Sequence, residues 1–168
     1  MHHKLIISLI VSLVLIYGCA EPDKPLSDIE GLRQQMTDIE RGRYVVEIMG
    51  CNDCHTPGYL VRRSNVPAED WLVGSNLGFR GYFGTTYPTN LRLSVRDMSE
   101  EDWLVLAKKM RAGSAMADVM LPETADQDLR AIYRFIKYLG PKGTPAPSAL
   151  PQGVAPTTQY IEVPVRPH

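Results

Sequence analysis

The chain is poor in histidine where a metal site would need it. Of its four histidines, His2, His3 and His168 stand at the ends, which leaves His55 alone in the interior of the sequence. A tetrahedral zinc site built on the Cys51–His55 motif would need two further Cys or His ligands at suitable spacing. Downstream of the motif there is only the terminal His168, so the pattern argues against zinc. Runs of basic residues are also missing. With 18 basic and 19 acidic side chains and a net charge of -1, the chain offers no handle for nucleic acid. Charge-selected partners would have to use local patches. No apolar stretch reaches the roughly 20 residues that a membrane-spanning helix wants. No internal repeat is visible, and Tyr160 to Val163 is the longest stretch that suggests a strand.

What is present suffices for one domain with appendages: 168 residues, of which 44% are hydrophobic. Met1 to Lys4 supply positive charge, and Leu5 to Tyr17 form an apolar run broken by Ser8 and Ser12. Small residues follow, in the order of an export signal. The run ends Ile16-Tyr17-Gly18-Cys19, which resembles the lipobox of bacterial lipoproteins. That resemblance implies a signal peptide over residues 1–18, cleavage before Cys19, and lipidation of Cys19. An uncleaved anchor or plain secretion are the alternatives. All three put the remainder outside the cytoplasm, and the lipoprotein reading implies a membrane-anchored periplasmic location. Residues 19–36, opening with prolines and charges, read as a tether.

Thr37-Asp-Ile-Glu40 is a capping box, expected to open a helix that runs to about Met49 and stops at Gly50. Residues 57–97 are rich in Gly, Pro, Asn and aromatics. They read as loop, with one short helix near Pro67 to Val73. Ser99 begins a second helix reaching about Ala112, with Trp103, Leu106, Ala107 and Met110 on its apolar face. A third spans about Ala125 to Leu139 and ends at Gly140-Pro141. Beyond it, residues 141–168 hold seven of the 13 prolines. This extension must be extended or turn-like, and its apolar alternation near Tyr160 favours docking over free disorder. Three helices and a long loop make an incomplete core, which a large apolar cofactor would fill.

Cys51-Asn-Asp-Cys54-His55 is the attachment pattern of c-type haem. Two thiols at this spacing can each bond a vinyl group along one porphyrin edge, and the adjacent imidazole then reaches the iron. A thioredoxin-like pair would expect a βαβ context, whereas this motif follows a helix and precedes loop. A structural disulfide is the blander reading.

With these residues, the chain resembles the class I cytochrome c family. More narrowly, it resembles haem domains related to the cytochrome subunits of periplasmic dehydrogenases. The stretches that carry this are Arg41-Gly-Arg-Tyr44, Trp71-Leu-Val-Gly74, Gly84-Thr-Thr-Tyr87, Thr89-Asn-Leu91 and Asp128-Leu-Arg-Ala131, together with the CxxCH. The resemblance implies an all-α class I cytochrome c fold over residues 37–140, built around one covalent haem. It also implies that Gly42 and Tyr44 pack against Tyr133. The family closes the second iron face with a methionine, placed here at Met116, twelve residues ahead of Asp128, with Met120 as the alternative. Ala117 and Asp118 depart from the family's usual Pro and aromatic at that point. Met110 and Met98 read as core and staple residues. Trp71, Tyr82, Phe83, Tyr87, Leu91, Trp103 and Leu106 are the expected cofactor wall, and Arg80, Arg92 and Asn90 are candidates for pairing with the haem carboxylates. The function implied is single-electron transfer between a protein donor and acceptor, with no catalytic group and no small-molecule substrate evident. The alternatives are a haem enzyme or gas-binding domain with an open distal site, and a haem subunit bound to a dehydrogenase.

Overall fold

The computed structural model describes residues 26–62, 65–110, 116 and 121–164. The chain divides into two units, Met1–Gln35 and Met36–His168. Of the first, the described part is the opening of helix α1, where Ile29 and Leu32 are exposed. Apart from the start of α1, everything that follows concerns the second unit.

Helix α1 covers Leu26–Ile48, so it begins well before the Thr37 capping box, within the stretch whose composition reads as tether. Leu32, Arg33, Gln34, Gln35 and Met36 are good helix formers, and their propensity carries the helix through that stretch. α1 stops at Gly50, whose left-handed backbone (φ 68°) turns the chain directly into the five-residue helix α2, Cys51–His55. α3 (Tyr59–Arg62) and α4 (Leu91–Ser94) are single turns. α5 covers Glu100–Lys109, capped by Ser99, whose hydroxyl accepts the Asp102 amide at 3.1 Å. α6 covers Asp126–Leu139. Both lie close to the expected spans. The short helix near Pro67 is a 3₁₀ turn, Ala68–Asp70.

The loop between α3 and α4 holds a hairpin that its sequence conceals. β1 (Gly78–Gly81) pairs antiparallel with β2 (Gly84–Thr86), and β3 (Tyr160–Glu162) joins β1 in parallel, giving the order β2-β1-β3. The all-α expectation is therefore corrected to a mainly helical fold with a small sheet. The third strand comes from the Pro-rich extension, which docks as its alternation suggests.

The core forms where α1 and α6 meet. Val45 and Val46 share one buried cluster with Leu129, Ile132, Phe135 and Ile136, and each such side chain contributes about 1.5–3 kcal/mol on leaving water. The crossing is close because Gly42 has no side chain. A Cβ there would lie 2.7 Å from the Phe135 Cβ and closer still to the Ala131 carbonyl. Gly42 thus sits at the crossing as the resemblance implies, but its partners are Ala131 and Phe135. Tyr44 is 56% exposed, and Tyr133 spends its hydroxyl on the Met98 carbonyl at 2.8 Å. Buried indoles are satisfied likewise: Trp103 donates to Leu129 O (2.8 Å) and Trp71 to Val66 O (2.9 Å). Arg134 bridges α1 to α5 through Asp38 and Glu100, and Arg130 adds Glu100 and Glu101.

Arg92 is buried and structural. Its guanidinium donates to the carbonyls of Leu139, Gly140 and Glu69, closing the C-terminus of α6. It is therefore not a free partner for a cofactor carboxylate.

Candidate cofactor site

Helix α2 sets the site. One helical turn separates Cys51 from Cys54, so both thiols share a face, and His55 follows beside them. The Thr56 backbone turns extended and ends the helix. A buried hydrogen-bond chain then locks α2 to the loop behind it. Thr56 Oγ1 donates to Asn52 Oδ1 (2.7 Å) and accepts the Leu72 amide (2.8 Å), while the Gly74 amide donates to the His55 carbonyl (2.8 Å). Leu72 holds a left-handed backbone (φ 61°) at this junction. At Gly74 (φ 82°) an added Cβ would lie 2.7 Å from the Asn90 amide nitrogen, so only glycine lets the two loops approach so closely.

The imidazole is oriented from outside α2. His55 Nδ1–H donates to the Thr89 carbonyl at 2.8 Å, which fixes the tautomer and leaves Nε2 as the nitrogen available to a ligand. Burial holds the ring's pKa below its ordinary value, opposed by the Thr89 bond, so the neutral form needed for metal ligation is favoured. Both cysteines are free thiols. Burial pushes Cys51 up to about 11, and raises Cys54 with help from Asp53.

These groups open onto one crevice with two lobes. A cavity of about 280 Å³ is lined by Cys51, His55, Leu91, Met98, Trp103 and Ile132 among others. A second, of about 560 Å³, is lined by Cys54, His55, Phe79, Tyr87, Pro88 and residues 147–149 among others. His55, Thr89, Met110 and Met116 line both. Two thiols, an imidazole with a free Nε2 and two thioethers thus surround a largely apolar space. That donor set fits a flat apolar macrocycle attached through sulfur and ligated at its metal by nitrogen. Among the described residues no cluster of three or more His, Cys, Asp or Glu could hold a metal ion by itself.

Of the expected wall, Tyr87, Leu91, Trp103 and Leu106 line the crevice. Trp71 instead packs in the core edge-on to Tyr59 and Phe135, and Tyr82 is 59% exposed at the hairpin turn, against Phe83. Arg80 pairs with Glu162 at 3.6 Å and lies over the Tyr160 ring. Asn90 caps α4 and donates to the carbonyls of Lys142 and Thr144. Met116 reaches the crevice, whereas Met120 and Cys19 lie outside the described residues. Sequence reasoning missed the Thr89 carbonyl, the exposure of Met110 to the crevice and the wall at 147–149. Pro88, which stiffens the chain just before Thr89, was the available signal for the first.

Comparison with known proteins gives one matching relative. The chain is 31% identical over 143 residues to the gluconate 2-dehydrogenase cytochrome c subunit of Pantoea cypripedii, a match covering 77% of this chain and 32% of the relative. The chain therefore spans about a third of the length of the curated relative it matches. No family model matches, and no solved structure matches.

Proposed function

We propose that the chain is a single-electron carrier of the class I cytochrome c type, holding one haem c through thioether bonds from Cys51 and Cys54. His55 Nε2 and Met116 Sδ would hold its iron. Bound there, the haem supplies an iron that alternates between ferric and ferrous states, and nitrogen–sulfur ligation favours the ferrous one. The chain's own part is to fix the imidazole through Thr89, exclude water with the α5 and α6 side chains, and place both thiols on the crevice face. The observation that carries this reading is the convergence of both thiols and a pre-oriented imidazole on one apolar crevice. The matched relative supports a cytochrome role beside a dehydrogenase, so the redox partners are a protein donor, of that kind, and a protein acceptor. The order of positive charge, apolar run and Gly18-Cys19 supports a lipid on Cys19 and a place at the periplasmic membrane surface.

The test is the optical spectrum of the purified full chain in both oxidation states, with a pyridine haemochrome assay for thioether attachment. One covalent haem and a near-infrared sulfur-to-iron band, lost in Met116→Ala and kept in Met110→Ala, are expected. A high-spin ferric spectrum would sink the carrier reading in favour of an open distal site. Loss of the band in Met110→Ala alone would move the ligand to Met110.

A further inference from the structure

We infer that residues 147–149 of the Pro-rich extension are a fixed wall of the cofactor crevice on its Cys54 side. This wall sets how far water reaches the bound cofactor, and so its reduction potential. The inference rests on the haem reading above and extends it to a segment outside the motif.

Pro147, Ser148 and Ala149 line the larger lobe together with Cys54, Tyr87 and Met116. They are clamped on both sides. Upstream, Asn90 Nδ2 donates to Lys142 O at 2.8 Å and Thr144 O at 3.2 Å. Asn90 directly follows Thr89, whose carbonyl orients His55, so wall and ligand hang from the same loop. Downstream, Leu150 and Thr85 exchange both backbone hydrogen bonds, at 2.9 and 2.8 Å. The Tyr87 hydroxyl meets Thr158 Oγ1 at 3.1 Å, and the Val163 amide donates to Arg80 O at 2.7 Å where β3 joins β1. Between the clamps, Pro145 and Pro147 fix their own φ angles, which lowers the entropy that ordering this span costs. Gly84 completes the seat. Its φ is 93°, and a Cβ there would overlap the Leu150 carbonyl and lie 2.9 Å from the Pro151 carbonyl carbon.

A wall of this kind acts on potential because water stabilises the more highly charged ferric state. Unclamping it should therefore lower the potential and open the cofactor to small reagents. The full haem-loaded chain is compared with Gly84→Val/Val163→Pro, which removes the seat and the β3 donor, and with the milder Gly84→Ala. Amide hydrogen exchange at Leu150 reports the clamp, redox titration reports the potential, and stopped-flow reduction by ascorbate reports access. Leu150 exchange should speed up at least tenfold in the double variant. The ferrous-to-ferric equilibrium should shift about threefold toward ferric, or about 28 mV at about 59 mV per tenfold change. Reduction by ascorbate should accelerate. Gly84→Ala should shift all three in the same direction by less, and it carries the test if the double variant does not fold.

Free-peptide exchange at Leu150 in the unaltered chain would overturn the inference. So would an unclamped Leu150 with unchanged potential and reduction rate, or unaltered Leu150 protection in both variants. Failure of the haem reading is separately visible as absence of covalent haem, while Leu150 protection in that chain still reports whether the segment is held.

Discussion

Replacing Arg92 by methionine removes a buried guanidinium while keeping most of the aliphatic stem. In the structure the group donates to three carbonyls, those of Leu139, Gly140 and Glu69, tying the end of α6 to α4 and to the turn before Trp71. Each carbonyl loses a charge-assisted bond. With partial compensation by water, the net cost is about 1–1.5 kcal/mol apiece, or about 3–4.5 kcal/mol in all. Domain stabilities are about 5–15 kcal/mol, so this is a large fraction. At about 3 °C per kcal/mol for a chain of this size, melting should fall by about 10 °C. Arg92→Lys should recover about one bond's worth, because an ammonium cannot span three diverging acceptors. The assay is urea unfolding followed by far-UV circular dichroism, with an unchanged m-value as the sign that the folded state is the same. A loss under about 1 kcal/mol in Arg92→Met, accompanied by a shifted reduction potential, would refute the capping role. It would return the guanidinium to the cofactor carboxylates.

Gly42→Ala puts a methyl group against the Ala131 carbonyl and the Phe135 Cβ. It should cost about 1–3 kcal/mol as α1 and α6 are forced apart, and a urea midpoint equal to the unaltered chain's would disprove the close crossing. Glu100 is held below the usual carboxylate range, mainly by its hydrogen bond from Arg134 and then by Arg130. Because its folded pKa is depressed, its contribution is complete above about 4.5 and is lost as pH falls through the folded value. The stability gap between the unaltered chain and Glu100→Gln should therefore be constant from neutral pH down to about 5 and close on further acidification. Urea midpoints between pH 7 and pH 3 check this, and a gap independent of pH would contradict the ion pairing.

The grouping of the two thiols and the imidazole was legible in the sequence because its information is local. Cys51, Cys54 and His55 lie on one turn, and Gly50 announces the break before them. Helices α5 and α6 were equally readable, since Ser99, Gly140 and their apolar spacing act within a few residues. The sheet was not, because β1 and β2 are three or four residues long and β3 comes from the far end of the chain. Arg92 misled for a related reason. A buried arginine satisfied by backbone carbonyls leaves no mark in sequence, whereas an arginine near an expected carboxylate invites pairing. The early start of α1 shows helical propensity extending a helix through charged composition that suggested a tether.

The pairing of Gly78 with Tyr160 also implies a timetable. Closing a loop of about 80 residues costs about 3 kcal/mol more than closing a hairpin of a few, on loop-length entropy alone. The β1–β2 hairpin and the helical turn bearing the thiols can therefore form while the segment after Gly140 is still unattached. During that interval the Cys54 flank of the crevice lacks residues 147–149 and stands open. It closes when the last strand arrives. The wall at residues 147–149 is thus the last part of this flank to form, and a cofactor of the proposed kind would meet a wider crevice before β3 pairs than after it.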